Sequence, residues 1–300
     1  MRNPKFLALF TLVTWSFSAT LTRLISIKSQ FLLWGISFFF TFLTLLVYFL
    51  INNRGRFGDI FRNLKWKYLF FGLFGYFIYA VALIQCFVSF DSASEPTILN
   101  YTWPVFTVLF TEAVFRRERK KLSLRLVEIT GVLTGFTSII ILGTEGFSIS
   151  IQLANVKGIG LGLIAGASYG FYSGYSSRVP EEDHSIFLLA SIFSSLILMM
   201  IFSAREFSII HTFTLRDILY VAFFGIIGNG LGYITWTSAN RIALEKKINI
   251  TSVISIIFFL PLTSLIIITV VLKETAIFRP YFIVSLILLI ISMIISQKTN

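Results

Sequence analysis

The chain has one cysteine, Cys86, and two histidines, His184 and His211. A lone cysteine forms no internal disulfide and no multi-cysteine metal site. Both histidines fall in predicted loops, so no histidine ligand cluster is expected at membrane depth. Charge is scarce as well: 13% of the 300 residues are Asp, Glu, Lys or Arg, against 56% hydrophobic. With a mean hydropathy of +0.85, a soluble fold could not hide so much apolar surface. No ATP-binding motif occurs, so no cofactor and no ATP-driven pumping are expected.

What is present in quantity is apolar runs of roughly 18 to 22 residues, the length that crosses a ~30 Å hydrocarbon layer as a helix. The expected fold is an all-α polytopic membrane protein with ten spans, at 6–26, 31–51, 68–90, 93–115, 126–143, 157–178, 185–204, 217–240, 248–272 and 280–296. The start, Met1-Arg2-Asn3-Pro4-Lys5 before an apolar run, shows no convincing cleavage site and reads as a retained first span. With the N-terminus inside, about 18 of the 25 basic residues fall on the cytoplasmic side. The positive-inside rule therefore predicts an inner-membrane protein with both termini cytoplasmic. The net charge of +11 fits cytoplasmic loops better than a nucleic-acid partner.

The two halves echo one another. The fourth span, YTWPVFTVLFTEAVFRRE, and the ninth, FFLPLTSLIIITVVLKE, each carry a mid-span proline followed by small hydroxyl residues and a basic-acidic cluster. Gly72 and Gly75 in the third span match Gly225 and Gly228 in the eighth; Trp15 and Arg23 in the first match Tyr169 and Arg178 in the sixth. An odd number of spans per repeat inverts the second copy. The expectation is two inverted five-helix repeats, 1–150 and 151–300, as in many secondary transporters; a passive scaffold built by duplication is the alternative.

Residues three, four and seven apart share a helix face. That spacing aligns Thr11, Trp15, Ser18 and Thr22; Tyr76 and Tyr79; Asn100, Trp103, Thr107 and Thr111, with Tyr101 about 100° round; Tyr169, Tyr172 and Ser176; and Asn229, Tyr233, Trp236 and Asn240. Polar atoms find no partner in lipid, so these faces should turn into the bundle or a wet cavity. Interhelical packing, interfacial anchoring and hydroxyl bonding to the preceding turn are the competing readings. Trp34 and Trp66, near span boundaries, read as anchors. The second, fifth, seventh and tenth spans are blander and suit outer or packing roles.

The stretch Leu99-Asn-Tyr-Thr-Trp-Pro104 places an amide, a phenol, an indole and a helix breaker within one otherwise apolar span. Pro104 frees the carbonyl of Asn100, and Pro261 that of Ile257, leaving groups for a ligand or points for a gating bend; an ordinary kink is the alternative. Glycines at 158, 162, 166, 170 and 174 form a ridge for close helix approach. Glu112 pairs by position with Arg116, and Ser92-Ala-Ser-Glu95 fits a capping box, an acidic group at the outer mouth being the other reading.

These residues resemble the drug/metabolite transporter superfamily in its ten-helix EamA form. Glu95 followed by Asn100-Tyr101-x-Trp103-Pro104, with Tyr76 ahead of it, is similar to the bacterial aromatic amino-acid exporter branch, whose fourth helix commonly reads Asn-Tyr-Leu-Trp-Pro. Tyr169 departs from the tryptophan usual there, and the connection from Asn240 to Asn249 is about five residues longer. The resemblance implies a central pathway with Tyr76, Tyr101, Trp103 and Trp236 as pocket aromatics and Asn100 as a polar contact.

The candidate substrate-binding residues are thus Trp15, Tyr76, Tyr79, Asn100, Tyr101, Trp103, Tyr169, Tyr172, Tyr233 and Trp236, with Pro104 and Pro261 as gating points. The expected activity is transport of a small organic metabolite, an aromatic amino acid or related amine, with export the direction the resemblance implies. Exchange of a nucleotide-like metabolite such as S-adenosylmethionine is the alternative. An enzyme lacks an intramembrane nucleophile or carboxylate pair in this reading, and a channel fits an inverted repeat in a single chain poorly. The expected partners are a small-molecule substrate and the lipid bilayer, with a monomer sufficient.

Overall fold

The computed structural model describes residues 3–55, 58–91, 94–115, 122–147, 155–272 and 280–297. Every regular element among them is helical. Among the described residues, seven helices are long and apolar enough to cross a membrane by length and composition: Gln30–Asn52, Trp66–Val88, Leu126–Gly143, His184–Thr212, Leu215–Glu245, Ile250–Val271 and Pro280–Gln297. The remaining long stretches are interrupted or glycine-rich. Pro4–Ser16 and Ser18–Leu24 are separated at Phe17, Ser94–Asn100 and Trp103–Phe110 at Tyr101-Thr102, and Val156–Ser176 carries the glycine ridge. Met1, Arg2, Ser92, Ala93, Arg116 and Lys298 lie outside the described residues, as do the side chains of Thr22 and Arg23. The Glu112–Arg116 pairing and the Ser92 capping box therefore lie outside them too.

The breaks have local causes. Pro104 sits at the second position of the resumed helix, where a missing N–H costs no intrahelical bond. Ahead of it, the Thr102 hydroxyl donates to the Leu99 carbonyl at 2.6 Å. Pro261 holds the matching place after Phe258-Phe259, at the second residue of Leu260–Leu272. No proline marks the break at Phe17. There, the Ser16 hydroxyl donates to the Leu12 carbonyl at 2.6 Å and meets the Thr263 hydroxyl at 2.5 Å.

Three stretches widen into π-helix: Leu73–Ile78, Thr111–Phe115 and Phe224–Leu231. A π-turn shifts the register of all that follows and is common at functional sites. Two of the three span or adjoin the paired glycines. At Gly72 and Gly75 the chain lies against Ser191 backbone and the Tyr172 ring, and a Cβ on Gly225 would stand 2.6 Å from the Ser37 carbonyl oxygen.

The glycine ridge runs along the whole of Ser94–Phe115. A Cβ on Gly162 would stand 2.5 Å from Leu99 Cβ, and one on Gly170 would stand 2.9 Å from the Thr107 backbone nitrogen. At Gly170 backbone meets backbone, so no side-chain adjustment can make room. On the periphery, Leu122–Gly143 pairs with Pro280–Gln297 through Ser292 Oγ to the Gly131 carbonyl at 2.6 Å and Ser138 Oγ to the Ser285 carbonyl at 2.8 Å. These two helices present mostly apolar outer faces, as their bland sequences suggested. The equally bland His184–Ser203 helix does the opposite and lies deep in the bundle. Its Ser194 and Ser195 hydroxyls donate to the Leu69 and Gly72 carbonyls at 3.0 and 2.9 Å.

One end of the bundle is tied by residues 181–185. Asp183 accepts from Lys65, and from the Tyr68 hydroxyl at 2.7 Å. His184 bridges Thr237 at 2.9 Å and Tyr48 at 3.4 Å, Ser185 accepts from Asn53 at 3.1 Å, and Glu181 stands 3.6 Å from Arg241. Three helices are held by this clasp. His184 is therefore no loop residue: it opens a helix and is 2% exposed. Nearby, the buried Glu128 accepts from Asn249 at 2.7 Å, a pairing that a scan for acidic residues at mid-span passes over.

Two outcomes follow. Gly170→Val should lower the melting temperature in detergent through overpacking of about 1–3 kcal/mol. Gly160→Ala, where no atom stands within 4 Å, should leave it unchanged or slightly raise it. Burial pushes the Asp183 carboxyl up, but the bonds from Lys65 and Tyr68 outweigh it and hold it below its ordinary value. Its stabilisation is full above the usual Asp range, near pH ~4, and is lost as pH falls through the lowered folded value. Acid melting curves should therefore be flatter for Asp183→Asn than for the wild type in that window, by no more than about 1 kcal/mol because Lys65 is half exposed.

Candidate functional site

A cavity of about 550 Å³ lies between the helices, within the range of small-molecule pockets. Ser18, Gln30, Trp34, Phe87, Val88 and Thr97 line it toward the ends near residues 24–30 and 88–94. Trp15, Asn100, Trp103, Tyr169 and Tyr233 line it at depth. The opposite helix ends carry the clasp. The cavity thus approaches one end of the bundle, while polar contacts tie the other.

Trp15 is the hub of its aromatic wall. Its ring lies 5.8 Å from that of Trp103, 6.2 Å from Tyr169, 6.1 Å from Tyr233 and 6.0 Å from Trp236. Most of these contacts are edge-to-face, the arrangement the ring quadrupoles favour. Gly232 makes room for the indole, since a Cβ there would stand 2.8 Å from Trp15 Cδ1. Trp103 fills the space across from it, 5.0 Å from Tyr169 and 5.3 Å from Trp236.

The structure brings the ten predicted residues together but sorts them by depth. Trp15, Tyr79, Asn100, Tyr101, Trp103, Tyr169 and Tyr233 line the cavity. Tyr76, Tyr172 and Trp236 lie behind it, each fully buried. Tyr76 and Tyr172 share a hydroxyl–hydroxyl bond of 2.8 Å, and Trp236 Nε1 donates to Ser173 Oγ at 2.7 Å. These three support the wall; they do not touch its contents. Helical spacing fixes a face but not a depth, which is why the sequence grouped them with the lining residues.

Trp34 corrects the sequence reading in the other direction. Expected as an interfacial anchor, it lines the cavity and packs 6.3 Å from Tyr79 and 5.9 Å from Phe224. Trp66 keeps the anchor's exposure at 76%. Asn229 also lines the cavity, its amide donating to Ser37 Oγ at 2.9 Å. Gln30, Thr97, Phe224 and Ser264 join it without having stood out in the sequence. Glu95 is buried at 4% exposure in the first turn of its helix. No group of three or more metal-ligating side chains occurs among the described residues.

Residues 156–296 match the EamA-like transporter family. The match supports a place in the drug/metabolite transporter superfamily, whose members carry small molecules across membranes. One solved structure, titled only as a crystal structure of a protein, superposes with a TM-score of 0.78 at 18% identity, covering 98% of this chain and 96% of that one. At that identity it shows a shared fold. No curated protein matches.

The tyrosine pair behind the wall yields a clean test. Tyr172→Phe would leave the Tyr76 hydroxyl buried without its partner, lowering stability by about 1–3 kcal/mol. Removing both hydroxyls, Tyr76→Phe with Tyr172→Phe, should recover part of that loss. Thermal melting of the two single variants and the double variant closes the cycle.

Proposed function

We propose that this protein is a secondary transporter that moves a small organic metabolite, an aromatic amino acid or related amine, across the inner membrane by alternating access, in the direction of export. The observation that carries this reading is the aromatic cavity itself: it reaches mid-helix, approaches one end of the bundle, and is tied shut by the 181–185 clasp at the other. Small-molecule transport by the EamA-like family supports the class of activity. Asn100, Tyr101, Trp103 and Pro104, read against the aromatic exporter branch, support the substrate. Ring stacking and attraction between an ammonium and an aromatic face would each contribute ~1 kcal/mol.

In this reading the chain crosses the membrane ten times as inverted repeats 1–150 and 151–300, with both ends cytoplasmic and a monomer as the working unit. The repeats are supported by paired departures from α-helix. A π-stretch spans or adjoins the paired glycines in each half, at Leu73–Ile78 and Phe224–Leu231, and a break precedes both Pro104 and Pro261. Those breaks are where the halves would flex as the cavity changes sides.

Counterflow in proteoliposomes, with a panel of amino acids, nucleosides and S-adenosylmethionine, tests the reading. Saturable exchange of tryptophan or phenylalanine is expected, reduced about fivefold to thirtyfold by Trp103→Ala, which strips a ring worth roughly 1–2 kcal/mol from the wall. Movement of S-adenosylmethionine alone would favour a nucleotide-like substrate for the same rings. Exchange that survives Trp103→Ala unchanged would remove the Asn100–Pro104 stretch from the pathway.

A further inference from the structure

Among the described residues that line the cavity, two buried side-chain polar atoms have no partner. Tyr169 lines the cavity, is 3% exposed, and its hydroxyl makes no hydrogen bond. Asn100 lines it too, and its side-chain carbonyl oxygen likewise goes unmatched. A buried polar group left unmatched is unfavourable by the full loss of its hydration, so native structures rarely tolerate one without a use. Other polar groups in and behind the wall are matched: Asn229 donates to Ser37, Trp236 to Ser173, and Tyr76 pairs with Tyr172. Tyr79 stands beside both orphans: it lines the same cavity as Asn100, and its ring lies 5.2 Å from that of Tyr169. The Asn100 oxygen is an acceptor only and is left for something else.

We propose that the Asn100 carbonyl oxygen and the Tyr169 hydroxyl together receive the ammonium group of an aromatic amine, and that Tyr169 determines specificity for it. The inference rests on the reading of this cavity as a substrate site. Both oxygens accept N–H bonds, and a primary ammonium carries three donors. The rings of Trp15, Trp103 and Tyr79 lie within 5.0 to 6.2 Å of the Tyr169 ring and supply the aromatic surroundings that favour a cation further. A carboxylate meets the reverse: the Asn100 oxygen repels it, and the tyrosine offers a single donor. An aromatic hydrocarbon fits the rings but leaves both oxygens unmatched. Sites built around a hydrogen bond discriminate strongly against ligands that cannot make it.

The test is equilibrium binding to the purified full chain in detergent, by calorimetry, with three probes of one ring system: tryptamine, 3-methylindole and indole-3-propanoate. Wild type should bind tryptamine at least about tenfold more tightly than either other probe, the usual effect of a charge-assisted hydrogen bond. Tyr169→Phe keeps the ring and removes only the hydroxyl. It should weaken tryptamine by about fivefold to tenfold while leaving 3-methylindole within about twofold. Asn100→Leu should act in the same direction, and a monodisperse elution profile with an unchanged melting temperature establishes that each variant is folded. Equal losses for tryptamine and 3-methylindole would make Tyr169 a packing residue and overturn the proposal. Preference for indole-3-propanoate would overturn it while leaving the aromatic cavity as the substrate site. Failure of wild type to bind all three probes would overturn both.

Discussion

Everything about the cavity depends on how closely the Val156–Ser176 helix approaches Ser94–Phe115. Helix axes separated by ordinary side chains would hold Tyr169 and Trp103 too far apart to share a wall. The ridge of glycines lets the backbones touch instead, with Thr107 nitrogen where a Cβ on Gly170 would need to be. In lipid there is no hydrophobic force to draw two apolar helices together, so dispersion at such short range is what holds them. The ridge glycines face one neighbour, and the aromatic residues between them, Tyr169 and Tyr172, face the bundle centre. One helix thus supplies both the close contact and two of the central rings.

The same solvent constraint explains the serines and threonines. A hydroxyl in hydrocarbon must find a partner, and most here bond to a carbonyl one turn back, as Thr107 does to Trp103 at 2.9 Å. A smaller set reaches across to another helix, and these mark where helices are fixed to each other. Ser194 and Ser195 donate to the Leu69 and Gly72 carbonyls, just ahead of the Leu73–Ile78 π-stretch. At the tied end Lys65 meets Asp183 and Glu181 meets Arg241. An end held by hydrogen bonds and ion pairs can be rehydrated when it opens, whereas a packed apolar end would have to be torn from itself.

Much of this was legible in the sequence because period 3.6 is a strong signal in a background of Ile, Leu and Phe. Trp15, Asn100, Trp103, Tyr169 and Tyr233 stood out as polar or aromatic positions on one face, and they line the cavity. Depth was not legible. Tyr172 and Trp236 obey the same spacing as their neighbours, yet a single turn along the helix carries them behind the wall. Trp34 was missed because a tryptophan near a span end has a sufficient explanation in the interface, and only the fold brings Tyr79 and Phe224 to it. His184 and Glu128 were hidden for a related reason. Their partners lie 53 and 121 residues away, at Thr237 and Asn249, and no local pattern announces a contact of that range.

The positions of the helix breaks separate moving from fixed parts on physical grounds. Phe17, Tyr101-Thr102 and Phe258-Phe259 each interrupt a helix beside the cavity, next to the lining residues Trp15, Trp103 and Leu260. The peripheral pair, Leu122–Gly143 and Pro280–Gln297, runs unbroken and is pinned by serine-to-carbonyl bonds on both sides. A break lowers the resistance to bending where it occurs, since the bonds that would stiffen that turn are already absent. Bending therefore concentrates at the depth of the rings and spares the outer helices. The Ser16–Thr263 contact joins the break at Phe17 to the helix that follows Phe258-Phe259. A bend at one break would therefore load the other through that hydroxyl pair, beside the aromatic cavity.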